Sequence, residues 1–189
     1  MQIRNGSDRF GTLARGLHWT TFLLLLGSFG IGLTMVDMPL SPRKLQVYSW
    51  HKWIGVTVFL IAILRLGWRC LHPPPPYPDS MPAWQKVGAR LSHGTLYGLL
   101  LLMPISGWVM SSALGIPTAY LGLVPLPDPV APDRELGQSL ILVHNILGLA
   151  LAALIALHIA AAIYHHFVLK DDIMRRMMPF MTVGGSDRS

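Results

Sequence analysis

Four of the chain's eight histidines, His18, His51, His144 and His158, lie in or at the ends of its most apolar stretches. Neutral imidazole is the commonest metal ligand among side chains. An ionisable group in a membrane-length apolar run faces the bundle interior as a rule and has a partner there. His144 and His158 are fourteen positions apart, and at 100° per residue this is about 40° short of four full turns. Both rings therefore occupy one helix face, about 21 Å apart along the axis, one near each boundary of an apolar core. His51 begins an apolar run on one side of that core and His18 begins one on the other. Pairing by depth gives His51 with His144 and His18 with His158. Each pair offers two imidazoles across a helix interface, the arrangement that grips a haem iron from both faces.

A porphyrin also needs room beside its ligands. "HKWIG" puts Gly55 one turn after His51, and "HNILG" puts Gly148 one turn after His144. Glycine lets another group approach the helix backbone closely. Zinc is a poorer match, because no Asp, Glu or Cys lies beside these histidines within the runs to complete a tetrahedral site. The plainer alternative is that the histidines are hydrogen-bonded packing residues between helices; four of them at matched depths favour ligation. His93 lies at the depth of His18 and competes with it as a ligand. Arg65 and Arg69 share a face four residues apart, where they would either pair with haem propionates or snorkel to the membrane surface. His72, in a proline-rich loop, reads as solvated. His165 and His166 read as interfacial, with one of them available to a quinone head group.

The elements that must position these residues are four apolar runs, at roughly 17–36, 50–69, 89–112 and 139–168. Each is near the about 20 residues a helix needs to cross a bilayer. Hydrophobic residues make up 52% of the 189 and charged ones only 13%, so the expected fold is all-α, a four-helix transmembrane bundle, with 1–189 forming one four-span domain. The formal charge of +6 sorts by side rather than forming a nucleic-acid surface. Arg4, Arg9, Arg15, Arg65, Arg69, Lys86, Arg90, Lys170, Arg175, Arg176 and Arg188 fall on one side, and only Arg43, Lys44, Lys52 and Arg134 on the other. The positive-inside rule then makes both termini cytoplasmic and turns the loops at 37–49 and 113–138 outward. Reading the first run as a cleaved signal peptide would leave three spans and discard His18. The single cysteine, Cys70, excludes an internal disulfide and the paired-cysteine attachment of a c-type haem.

Between the runs, "HPPPPYP" at 72–78 reads as a stiff extended spacer, and Pro104 predicts a kink inside the third span. The long second outer loop is rich in proline and glycine and is expected to cover that face of the bundle.

These motifs resemble the bacterial cytochrome b-561 family, whose better understood members are superoxide oxidases. The likeness rests on "LHW" at 17–19, His51 with Gly55, "LRLGWR", "SHGTLYGLLLLMPISGWVM", His144, His158, "HHFVLKDD" and "RRMMP", in that order along nearly the whole chain. The resemblance implies a bacterial inner-membrane protein with two haem b groups. Their axial ligands would be His18, His51, His144 and His158, with His93 and Tyr97 near the inner haem. It also implies electrons entering from periplasmic superoxide and leaving to ubiquinone. Two bound imidazoles leave iron no open position, which suits outer-sphere electron transfer. A superoxide oxidase should present a cationic outer surface. Arg43, Lys44 and Lys52 supply one against Asp37, whereas Asp128, Asp133 and Glu135 outnumber Arg134 in the second loop. Two other functions compete: an electron-transfer subunit that links a periplasmic dehydrogenase of hydrogenase type to quinone through a partner protein, and a tetraspan transporter or scaffold without redox chemistry.

Overall fold

The structure is a computed structural model and describes residues 3–181. Four helices dominate it: α1 (Thr12–Met35), α2 (Pro42–Leu71), α3 (Ala83–Ala113) and α4 (Arg134–Tyr164). All four are long and apolar enough to cross a membrane. A π-helical turn, His165–Leu169, continues α4, and a short α5 (Ile173–Met177) follows it. A two-stranded hairpin, β1 (Ala119–Tyr120) and β2 (Val124–Pro125), is a small departure from an all-α chain.

The helices are longer than the apolar runs because capping chemistry starts them outside the greasy segment. Ser41 accepts from the backbone N–H of Lys44 at 3.2 Å, and Pro42 follows it at the first helical position, where a missing N–H costs nothing. Asp133 accepts from Leu136 N at 3.0 Å and begins α4. The expected loop at 37–49 is thereby reduced to 36–41, with Arg43 and Lys44 inside the first turn of α2. The second loop is 114–133. α3 runs through Pro104 as one helix.

Packing follows chain order: α1 lies on α2, α2 on α3, and α3 on α4. The tightest centre is formed by Val58, Ala62 and Leu100, backed by Leu24, Leu25, Ile54 and Leu101. Leu23, Leu33, Leu149 and Leu157 point outward, as they do when lipid rather than protein covers a helix. Without a hydrophobic drive between helices in lipid, close packing and polar contacts hold the bundle together.

At one end, here the loop end, the 114–133 segment is pinned to the bundle as expected of a cover. Trp53 Nε1 donates to Ala119 O at 2.7 Å, Trp108 Nε1 to Pro127 O at 3.1 Å, and Ser112 Oγ to Val130 O at 2.6 Å. Its hairpin turns through Leu121 (φ 54°) and Gly122 (φ 72°). At the other, terminal end, the chain termini and the proline loop tie together. Arg9 Nη2 donates to Met178 O at 2.6 Å, Trp19 Nε1 to Met177 O at 3.1 Å, and Asn5 Nδ2 to His72 O at 2.9 Å. Arg188, counted among the basic residues of that side, lies outside the described residues.

Candidate haem-binding sites

At the loop end the ring centres of His51 and His144 are 6.4 Å apart. At the terminal end those of His18 and His158 are 6.2 Å apart. Two imidazoles bound trans to one metal at about 2 Å, with each nitrogen about 1 Å from its ring centre, come to about 6 Å. The depth pairs read from the sequence are thus brought together, their ring planes inclined by 77° and 58°, at a spacing that suits a shared metal. Among the described residues no group of three or more His, Cys, Asp or Glu is arranged to hold an ion.

The hydrogen bonds of the loop-end pair set its tautomers. His51 Nδ1 lies 3.2 Å from the carbonyl oxygen of Ser28. A carbonyl only accepts, so Nδ1 carries the proton and Nε2 keeps the lone pair. His144 Nδ1 lies 2.9 Å from Ser106 Oγ, and that hydroxyl already donates to Met103 O at 2.7 Å. Ser106 must therefore accept from His144, which again frees Nε2. Such second contacts orient a metal-binding ring and raise its donor strength.

Each of these rings also rests on a glycine that sequence reasoning missed. A Cβ added at Gly32 would come 3.2 Å from His51 Cε1, and one added at Gly107 would come 3.0 Å from His144 Cε1. Both glycines sit on the helix that supplies the ring's hydrogen-bond acceptor, α1 for His51 and α3 for His144. A signal for Gly32 existed, since it follows His18 by fourteen positions, the spacing of His144 and His158. The expected glycines behave differently from one another. A Cβ at Gly55 would meet nothing within 4 Å, as at several other helical glycines, whereas one at Gly148 would meet the methyl of Met103 at 3.2 Å. The space beside Gly148 belongs to a flexible side chain rather than standing open.

The terminal-end pair is differently surrounded. Arg65 Nη2 donates to His18 Nδ1 at 3.2 Å, so His18 is held in the other tautomer while that contact lasts. The spacing fits a shared metal; a lone pair on Nε2 requires the guanidinium to let go of Nδ1. Arg65 and Arg69 lie over the ring of Tyr97, 5.5 Å and 5.9 Å from its centre. Arg65 is turned inward, against an imidazole and an aromatic face. His93 also reaches this cluster, 5.4 Å from His158 between ring centres, and its Nδ1 is buried with no partner in hydrogen-bonding geometry. That spacing is shorter than the about 6 Å of a trans pair.

Two peripheral histidines find partners. His72 is stacked on Trp68, ring centres 3.8 Å apart, instead of standing free in solvent. His165, in the π-helical turn, donates from Nδ1 to the Asp171 carboxylate at 2.5 Å. The turn ends at Lys170 in the left-handed region (φ 55°), which brings the chain back so that Asp171 N reaches His165 O at 3.1 Å. π-Helical turns recur at functional sites.

A four-span bundle whose facing helices present imidazoles to one another at two depths has the framework of a membrane cytochrome b. Comparison with known sequences agrees: residues 9–180 match the family model described as prokaryotic cytochrome b561, and the chain belongs to that family. Among its relatives is "Cytochrome b561 homolog 2" of Escherichia coli (strain K12), 31% identical over 180 residues that cover 94% of this chain and 95% of that protein. "Probable superoxide oxidase CybB" of Yersinia pestis is 29% identical over 90% of this chain and 96% of its own length. "Cytochrome b562" of Cereibacter sphaeroides is 31% identical over 86% and 90%. The family implies a b-type haem, and the loop-end pair, with both Nε2 lone pairs free, suits one on chemical grounds.

Proposed function

We propose that this chain is one four-span domain of the bacterial inner membrane that holds two haem b groups and oxidises superoxide at the expense of ubiquinone. The observation that carries the reading is the pair of facing imidazole sets, 6.4 Å and 6.2 Å between ring centres, at depths about 21 Å apart along α4. His51 and His144 would hold the outer group, and His18 and His158 the inner one. A haem held between two imidazoles supplies one-electron exchange without an open coordination position. The protein's share is to fix the rings, exclude water and place the two reactants on opposite faces.

The balance is two superoxide anions oxidised to two dioxygen molecules, with both electrons passing to one ubiquinone, which takes two protons and becomes the quinol. Superoxide is met at the loop end, where Arg43 is exposed. Lys44 and Lys52 are less available there, because their ammonium groups donate to the carbonyls of Val36 and Met38 and of Ile116 and Pro117. Ubiquinone is met at the terminal end. His165, whose Nδ1 proton is given to Asp171, keeps an Nε2 lone pair that would accept from a quinol hydroxyl beside the outward-facing Phe167 and Val168.

The test is an anaerobic spectrum of the detergent-purified protein while superoxide is generated in the cuvette, with and without a short-chain ubiquinone. The expected result is b-type bands that superoxide reduces far faster than in His51→Ala and that quinone reoxidises. Bands indifferent to superoxide would favour a second reading, an electron-transfer subunit for a periplasmic dehydrogenase. One observation speaks for that reading: the hairpin at the loop end exposes Leu121, Leu123 and Val124, an apolar tip suited to a protein partner, and co-purification of that partner would support it. A colourless sample would overturn both.

A further inference from the structure

The two imidazole pairs differ in what their outer nitrogens touch, and that difference has a redox sign. We propose that Ser106 lowers the potential at the His51–His144 pair and Arg65 raises it at the His18–His158 pair, so that the bundle itself sets electron flow from the loop end to the terminal end. The inference rests on the reading that these pairs hold the two b haems.

At the loop end both rings give a proton to oxygen. His51 donates to the Ser28 carbonyl at 3.2 Å and His144 to Ser106 Oγ at 2.9 Å. An imidazole whose far N–H is engaged by an acceptor is a stronger electron donor through its other nitrogen. Stronger donation favours ferric over ferrous iron and lowers the potential, one of the levers a protein holds over haem. Ser106 cannot reverse its role, because its single proton is committed to Met103 O at 2.7 Å and the hydroxyl is buried. His144 is thus held in one tautomer by a two-step relay within α3.

At the terminal end the neighbour is a cation. Arg65 Nη2 is 3.2 Å from His18 Nδ1, and Arg69 lies with Arg65 over Tyr97. Among the described residues the side-chain ion pairs are His165 with Asp171 and Arg175 with Asp172, so no carboxylate neutralises Arg65 or Arg69. A guanidinium keeps its charge in any protein environment. In a low-dielectric interior that charge opposes the extra positive charge of ferric iron far more than it would in water. Once the guanidinium has let go of Nδ1 and stays beside the ring, or turns to a propionate nearby, ferrous iron is favoured and the potential rises. The electron therefore moves downhill from an oxygen-accepting site to a cation-flanked one.

The experiment is optical redox potentiometry of the purified haem-loaded protein. His144→Ala and His18→Ala assign the transitions, each expected to remove one. Wild type should show two midpoints, the lower assigned to His51–His144. Ser106→Ala should raise that midpoint and leave the other unmoved, while Ser106→Thr, which keeps the hydroxyl, should restore it. If Ser106→Ala does not hold haem, the same upward shift is read in Ser106→Cys, whose thiol is a weaker acceptor. Arg65→Gln should lower the higher midpoint, and Arg65→Lys, which keeps the charge, should return it most of the way. Midpoints that stay fixed or move the opposite way in variants that retain both haems would overturn the tuning alone. Ligand variants that remove no transition would overturn the haem assignment, and the tuning with it.

Discussion

At the scale of single residues, the loop-end site depends on small side chains as much as on its histidines. Gly107 leaves the His144 ring just enough space, since an added Cβ would stand 3.0 Å from Cε1. Gly107→Ala should force the ring or α3 aside at a cost of about 1–3 kcal/mol, the usual range for overpacking, and haem content per chain should fall. Gly55→Ala is the complementary probe. Beyond its own helix turn nothing lies within 4 Å of that added Cβ, so thermal stability of the haem-free protein should hold or rise by about 0.5–1 kcal/mol, the helix preference for Ala over Gly. A lowered haem content in the same variant would show that the porphyrin itself lies against Gly55. Unchanged haem content would place the ring elsewhere. Removing the Ser106 hydroxyl should also weaken haem retention by about tenfold or more, the range measured for outer partners of metal-bound histidines.

At the scale of elements, the 114–133 segment behaves as a clamp on α2 and α3. Lys52 and Trp53, adjacent on α2, reach the carbonyls of Ile116, Pro117 and Ala119. Thr57 adds a contact to Tyr120: its hydroxyl donates to Trp53 O at 2.8 Å, so the phenol donates to Thr57 Oγ1 at 3.0 Å. Trp53→Phe removes one donor and leaves the Ala119 carbonyl to find water, costing about 1 kcal/mol by the net worth of such a bond. Limited proteolysis from the loop side should then cut the 114–133 segment sooner than in wild type, with the four helices intact. Equal cutting rates would show that the hairpin is held by other contacts. The exposed tip at Leu121 and Leu123 lies outside this clamp and is free to meet lipid or a partner.

At the scale of the whole molecule, the proposed orientation rests on charge. The terminal end gathers most of the arginines and lysines, and its N-terminal segment, proline loop and tail are joined by Arg9, Trp19, Asn5 and Arg176, the last donating to Pro76 O at 2.5 Å. The single cysteine is at this end and exposed. A membrane-impermeant maleimide should label Cys70 in inside-out vesicles and leave right-side-out vesicles unlabelled. Labelling with the opposite sidedness would reverse the proposed topology and exchange the sites assigned to superoxide and ubiquinone.

The spans, their number and the two depths of histidine were legible in the sequence because they depend on properties local to the chain. An apolar run must be long enough to cross lipid, a charge must be kept out of it, and fourteen residues return a helix to the same face. Even the pairing of His51 with His144 followed, since depth alone matches them. The helix ends were less legible: Ser41 and Asp133 cap helices that outrun the apolar stretch, and hydropathy does not register a cap. What only the tertiary structure decided was which neighbours each ring meets. With 18 glycines in the chain, nothing local marks Gly32 and Gly107 as the two that seat imidazoles. Ser28 and Ser106 likewise look like any small polar residue at a helix interface. Arg65 was visible as a cation at the right depth, but its turn inward onto His18 and Tyr97 comes from the packing of α1, α2 and α3 together. Residue type and depth are written along one helix at a time; tautomer, room and local charge arise between helices, and a contact between helices exists only once the bundle has formed.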